Sequence, residues 1–253
     1  MPLPAASYII GTHAYFFREG DAINSAAASA SRARTSNVAT IVTAAAHGLW
    51  TGAVVTLTTF GGTGYNLASV AVTVINATSF TYASTGANEG TTADTAGVIT
   101  LTGNASASIK PGPNDAGWIT IGKVGETSDS REGNDIEIYA PQPGKIVLTD
   151  VIRNKHKLMF KFTAQEWGPF AAEVQYLTES LSGSSTQFNP LEGDDKKGWL
   201  KLQRYDQNDN LRLVLDVWCR ISISGDVQFG GSDIVKPAFE ALVLHSALNT
   251  GSL

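Results

Sequence analysis

The side chains that could do chemistry in this chain are few and scattered. Four histidines, His13, His47, His156 and His245, stand far apart, and none has a second His or Cys at a ligand spacing such as His-x-x-x-His or Cys-x-x-Cys. His156 falls on the apolar side of an alternating stretch and is read as a satisfied core residue. The single cysteine, Cys219, also falls on an apolar side with no base beside it in sequence, which reads as an inert buried thiol. One cysteine excludes an internal disulfide and a cysteine-rich metal centre.

Glycine-rich stretches invite a phosphate-loop reading that their context does not support. Gly61-Gly62-Thr63-Gly64 is not followed by Lys-Ser/Thr or by a helical pattern, and the stretch from Gly225 to Gly231 likewise opens no helix. Both read as hairpin turns. Gly193-Asp194-Asp195-Lys196-Lys197-Gly198 lacks the alternating ligands and closing glutamate of a calcium loop, so it reads as a solvated loop.

The stretch 126–137 is more informative. Glu126, Asp129, Glu132, Asp135 and Glu137 surround Arg131 in a hydrophilic segment between two strand candidates. It reads as a long loop, and a loop that long in a compact domain is either mobile or committed to a partner. These six residues are the candidates for a contact with a neighbouring subunit or ring. Paired carboxylates in acid–base catalysis need a concave apolar site to shift their titration, and nothing in the sequence marks one. The expectation is a protein that is not an enzyme, with no catalytic or metal-binding residues and no cofactor.

The elements that would position these residues follow from composition. The chain has 253 residues, 43% apolar but only 16% charged, with 25 glycines and abundant Ser and Thr. An average domain is about 25% charged. This mixture favours short strands joined by many turns over long solvated helices. A net charge of −5 lacks the electrostatic footprint of a protein that grips phosphates. No apolar run is long enough for a transmembrane helix, and Met1-Pro2-Leu3-Pro4 does not open a signal peptide, so the chain is expected to be made and used without secretion.

Charge is distributed unevenly. Between Ser36 and Asn104 there is no Lys or Arg, and the only acids are Glu89 and Asp94. The small-residue stretch 26–31 on its left reads as a linker, and Ile109-Lys110-Pro111-Gly112-Pro113-Asn114 on its right stops any regular element. The division expected is therefore one domain made of 1–35 and 105–253, interrupted by another at 36–104. Within the insert, 38–43, 53–58, 69–75, 79–82 and 97–101 read as strands. In the flanking part, 155–163 and 211–222 alternate as strands, 198–222 reads as an antiparallel hairpin, and 238–245 reads as a terminal strand. Phe170, Val174, Leu177 and Leu181 form one apolar stripe, predicting a helix of about three turns opened by Gly168-Pro169 and capped by Gly183.

Two resemblances attach to these motifs. The run Val38-Ala39-Thr40-Ile41-Val42-Thr43-Ala44-Ala45-Ala46-His47-Gly48-Leu49-Trp50-Thr51-Gly52, followed by Thr63-Gly64-Tyr65-Asn66 and Ala77-Thr78-Ser79-Phe80-Thr81-Tyr82, resembles a small Ig-like β-module common in bacteriophage tail and baseplate proteins. Leu67-Ala68-Ser69 follows where such modules often carry Gly-Thr, a departure that bears on turn geometry. The flanking part resembles the major tail tube proteins of long, flexible-tailed phages. The carriers are Trp118-Ile119-Thr120-Ile121-Gly122-Lys123-Val124, the strand 155–163 running into the helix 170–181, and Ile234-Val235-Lys236-Pro237-Ala238-Phe239.

These resemblances imply a mainly β fold: a tail-tube-type β-sandwich or barrel flanked by one α-helix, with a small Ig-like β-domain inserted and facing outward. They imply a virion structural protein, made in the host cytoplasm, that assembles with itself into stacked hexameric rings around a lumen through which DNA passes without specific binding. Other tail proteins (tape measure, terminator, baseplate or distal tail) would be its partners. The insert would touch host surface glycans weakly, and no part would enter a membrane. A mildly acidic chain suits a conduit that must not hold DNA. Ring contacts that stack need free strand edges and long loops. The alternatives are a capsid decoration protein, or a tail terminator or baseplate ring component, with an Ig-like surface-binding module. A bacterial adhesin module would be expected to carry a signal sequence, and a glycosidase would need two carboxylates about 5 to 9.5 Å apart across a cleft.

Overall fold

The computed structural model describes residues 9–143, 145–178, 189–191, 193–225, 227 and 235–252. It is mainly β with one helix: a closed six-stranded barrel and a curled half-barrel sheet. The chain divides into two compact units, one of residues 17–119 and one of 1–16 with 120–253. Among the described residues no helix is long and apolar enough to cross a membrane.

Strand β1 (Ile9–Arg18) leads into the first unit, which then contains β2 (Ala22–Thr35), β3 (Val38–Thr43), β4 (Val54–Thr58), β5 (Leu67–Ala71), β6 (Thr73–Asn76), β7 (Ser79–Ala83), β8 (Glu89–Ala93) and β9 (Val98–Asn104). The strand order is β5-β4-β9-β2-β3-β7-β6, with β8 also on β2. Four of the predicted strands are found as β3, β4, β7 and β9. The fifth, 69–75, is two strands, because the chain bends at Val72. The Val72 side chain is buried, its N–H donates to the Ala53 carbonyl at 3.0 Å, and its carbonyl accepts from the Gly52 N–H at 2.7 Å. Before the bend the chain pairs with β4, and after it with β7, so one run of residues supplies both ends of the sheet.

The small-residue stretch 26–31 is not a linker. It lies inside β2, where the strand changes partner: Ala22–Ala28 pair with β9, and Ser29–Thr35 pair with β3 across a bulge. A bulge bends and twists a strand, and small side chains let the bent backbone pack closely. Gly97 lies against this corner, where an added Cβ would stand 2.5 Å from Ser29 Oγ and 2.4 Å from a Phe60 ring carbon. The Pro-Gly-Pro segment on the other side also belongs to this unit. Asp115 accepts from the Asn24 N–H at 2.9 Å and from Ser25 Oγ at 2.6 Å, and Ser25 Oγ in turn accepts from the Gly112 N–H at 2.8 Å. The compact unit thus takes in 17–35 and 105–119 besides the low-charge stretch.

The second unit continues with β10 (Ile119–Gln142), β11 (Lys145–Ala164), α1 (Pro169–Tyr176), β12 (Lys196–Asp206), β13 (Leu211–Ile223), β14 (Ala238–Val243) and β15 (Thr250–Ser252). The path β12-β1-β10-β11-β14-β13 closes when β13 pairs with β12, which leaves the barrel without a free sheet edge. On its other side β13 pairs with β14 through Cys219–Ile223 and with β15 through Val214–Asp216. The predicted hairpin is β12–β13, and its central pair, Trp199 opposite Trp218, packs edge to face with ring centroids 5.7 Å apart. The predicted terminal strand is β14.

The helix is shorter than its stripe suggested. Pro169 opens it, but Leu177 takes a left-handed conformation (φ 49°) and ends it after Tyr176. The Gly193 N–H caps the Leu177 carbonyl at 2.6 Å. Leu181 and Gly183, the expected last stripe residue and cap, lie outside the described residues. The helix is also buried on more than one stripe: Phe170, Ala171, Ala172, Glu173 and Val174 are all covered. Phe170 joins an aromatic cluster with Phe16 (5.0 Å) and Phe239 (6.1 Å), and Phe162 stacks on Phe239 at 5.5 Å.

Candidate functional site

The acidic stretch 126–137 is strand, not loop. It is part of β10, laddered against β11 from Val124↔Ala164 to Gln142↔Lys145 with three bulges. The sequence reading failed here for a physical reason. A strand solvated on both faces shows no apolar alternation, and Gly133-Asn134 resembles a turn. Only its partner, far along the chain, supplies the hydrogen bonds that make it a strand.

The ladder distributes the six candidate residues along one hairpin and does not gather them. Asp129 accepts from Arg204 Nη2 at 2.6 Å, tying the hairpin to β12. Glu132 pairs across the ladder with Lys157 at 3.2 Å. Glu137 accepts from the hydroxyl of Tyr139, two residues on along the same face. Asp135 stands opposite Arg153 in register, Arg131 opposite Leu158, and Glu126 lies at the bulge near the base. Asp129, Glu132 and Glu137 thus hold the hairpin itself or tie it to the barrel.

The apolar residues of the same hairpin were missed. Among the described residues, β14 covers β11 only from Met159 to Thr163, so the stretch 145–158 has β10 as its sole strand partner. That outer part exposes Ile136, Ile138, Tyr139, Ile146, Leu148, Val151 and Ile152, with Ile146 at 73%. Directly opposed residues share a face, so Ile136, Ile152 and Ile138 lie on one side and Val151, Tyr139, Leu148 and Ile146 on the other. Apolar residues are uncovered on both faces. The signal was present as Ile136-Glu137-Ile138, a Pro143-Gly144 turn pair and Ile146-Val147-Leu148, a hairpin pattern that the charges obscured.

The glycine loop 61–64 joins β4 to β5, as a hairpin turn should, and it covers two buried arginines from β2. Arg32 binds Asp94 through Nη1 at 2.7 Å and Glu89 through Nη2 at 2.8 Å. Arg34 donates to the Thr63 carbonyl at 2.6 Å and to Ser84 Oγ at 3.1 Å. Their guanidinium carbons stand 5.0 and 4.1 Å from the centroid of the Tyr65 ring, a doubled cation–π contact. Burial pushes the Tyr65 phenol above its ordinary range. Asn66 pins the same loop by accepting from the Phe60 N–H and donating to the Phe60 carbonyl, both at 2.9 Å. The Tyr-Asn and Phe-Thr-Tyr motifs are thus packing and loop-pinning residues: Tyr82 donates to the Tyr65 carbonyl at 2.9 Å, and Phe80 packs edge-on against His47.

The remaining candidates separate cleanly. His47 is buried, and burial holds its imidazole below the usual range; Nδ1 accepts from the Leu49 N–H at 3.0 Å. Cys219 is fully buried, which pushes its thiol far above the reactive range. His156, read as a core residue, is exposed instead, because β11 has passed its last barrel partner before reaching it. Of 193–198, read as a solvated loop, Lys196-Lys197-Gly198 instead open β12 and pair with β13, and Asp195 before them binds Arg220 at 3.1 Å. Of the stretch from Gly225 to Gly231, positions 226 and 228–231 lie outside the described residues. Among the described residues no three His, Cys, Asp or Glu side chains group as a metal site. No protein-family model and no curated protein matches this chain.

Proposed function

We propose that the chain is a non-catalytic virion structural protein that assembles with itself into stacked hexameric rings, forming the tube of a long-tailed phage, and that the β10–β11 hairpin makes the contact between copies. The observation that carries this reading is the hairpin's outer part, with apolar side chains exposed on both faces and, among the described residues, no partner strand beyond its own pair. A lone two-stranded hairpin is marginal in water. One this long and this apolar gains stability when another surface covers it. The motif order that resembles tail tube proteins supports the same assignment, and the net charge of −5 suits a lumen that lets DNA pass. Tape measure, terminator and baseplate proteins would meet the ends of such a tube. The unit 17–119, with its Ig-like motifs, would face outward and touch host glycans.

Electron microscopy of the purified protein over a range of concentration and salt tests this directly. Stacked rings or hollow tubes with outward knobs are the expected result. A monomer or compact trimer at every concentration would overturn it in favour of head decoration, and single rings that never stack would favour a terminator or baseplate ring.

A further inference from the structure

The ladder between β11 and β14 ends at Met159↔Leu242. Continuing the same register would set Leu158 against Val243 and His156 against His245. The two strands part instead, β14 staying with β13 as the Leu244 N–H donates to the Trp218 carbonyl at 2.8 Å, while β11 leaves with β10. The gap between them is an open groove of about 510 Å³. Leu158, Val243 and Leu244 supply its apolar lining, and Arg131, His156 and His245 bring N–H groups from β10, β11 and the end of β14. Arg131 is opposite Leu158 and His156 is two residues along, so these three share one face of the ladder.

Two features set this groove apart from an ordinary surface crease. Among the described residues, the side chains of Arg131, His156 and His245 are exposed and make no hydrogen bond or ion pair, whereas Lys157, which also lines the groove, is already held by Glu132. The described lining contains no carboxylate, in a protein whose acids outnumber its bases. Asn249 is committed elsewhere, accepting from the Trp218 N–H at 2.7 Å and donating to the Leu244 carbonyl at 3.0 Å. Of the charged residues nearby, Arg131 shares the ladder face of His156, as do Asp129, which is held by Arg204, and Asp135, which lies beyond the groove lining, while Lys157 and its partner Glu132 alternate to the other face.

We propose that this groove is an oxyanion-binding site, in which Arg131, His156 and His245 together hold a sulfate- or phosphate-type group. Arginine presents a planar fork suited to such oxygens, and an imidazole adds a donor when neutral and a charge when protonated. Occupancy therefore strengthens as the solution becomes more acidic. The site is built from groups of a single copy, two of which, Arg131 and His156, lie on the hairpin proposed to meet a neighbouring copy.

Sulfate is the probe, because its charge stays constant across the range where histidine titrates. Sodium sulfate is titrated into the full chain at about pH 5.5 and about pH 8, with ionic strength held by sodium chloride, while the histidine ring signals are followed by NMR. The expected result is saturable binding at the lower pH, roughly tenfold weaker at the higher, with the signals of His156 and His245 moving and those of His13 and His47 unmoved. R131Q and the double variant H156Q/H245Q, all at exposed positions, should each abolish saturation while keeping the wild-type circular dichroism spectrum. No saturation at either pH, or unchanged binding in the double variant, would overturn the proposal. A single-stranded oligonucleotide then separates the sources: displacement of sulfate identifies a phosphodiester, and failure to displace it identifies a small free oxyanion.

Discussion

Arg32 Nη1 lies 2.7 Å from Asp94 Oδ2, and the other terminal nitrogen of the same guanidinium reaches Glu89 at 2.8 Å. Both acids of the stretch 36–104 are thus neutralised by an arginine that stands outside it. The stretch looks electrically self-contained in sequence and is not. Its only two charges are half of a buried network whose other half belongs to β2.

Removing Arg32 should be costly. The Asp94 side chain is 5% exposed, and an uncompensated buried charge costs about 3 to 5 kcal/mol. R32M should lower the stability of the unit 17–119 to urea by that amount. The pair R32M/D94L should recover much of the loss, since the acid then left without Arg32 is Glu89, whose side chain is 30% exposed. Amide exchange resolved by residue measures both, and equal loss in the single and double variants would show that packing, not charge, holds the cluster.

A fragment of residues 17–119 should fold alone, and one of 36–104 should not. The shorter piece lacks β2, and with it the partner of β3, β8 and β9 and the two arginines over Tyr65. Dispersed amide NMR spectra for the longer fragment and collapsed ones for the shorter are the expected outcome.

Stability should fall in two separate pH windows. Burial pushes the Asp206 carboxyl up, but the Arg212 guanidinium at 2.7 Å and the N–H groups of Asn208 and Asn210 overcome it, bringing the carboxyl from 3.8 to about 2. A group lowered on folding contributes above its unfolded value and loses that contribution as pH drops toward the folded one. The β12–β13 turn should therefore weaken between about pH 3.8 and 2, and D206N should flatten that limb. His47 acts higher. Buried neutral, it takes up a proton more readily when unfolded, so its contribution is whole above 6.5 and declines as pH falls below that value. Urea unfolding at a series of pH values, with H47Q for comparison, separates the two.

Charging the hairpin tip should separate assembly from folding. Ile146 is 73% exposed, so I146E should change monomer stability by less than about 0.5 kcal/mol. The same change should prevent sedimenting assemblies, because a desolvated carboxylate is not tolerated at a covered apolar contact. Unaltered assembly would remove the hairpin from the interface.

What the sequence determined by itself was local. Alternation placed β3, β4, β7, β13 and the β12–β13 hairpin, because each has one face buried and a turn at its end that the residues announce. Proline and glycine marked where the helix begins. Tertiary structure decided the rest. Two serines and four alanines at 26–31 carry no periodic signal, and only β9 and β3 make them a strand with a bend. Residues 126–137 are strand because 151–162 lie beside them, and the local sign of that pairing, Ile136-Glu137-Ile138 before Pro143-Gly144 and Ile146-Val147-Leu148, stands only at the far end of the hairpin. His156 shares its alternation with Phe160 and Phe162, yet β14 covers those two and has diverged before His156. Periodicity assigns a residue to a face, and only the neighbouring strand decides whether that face is buried.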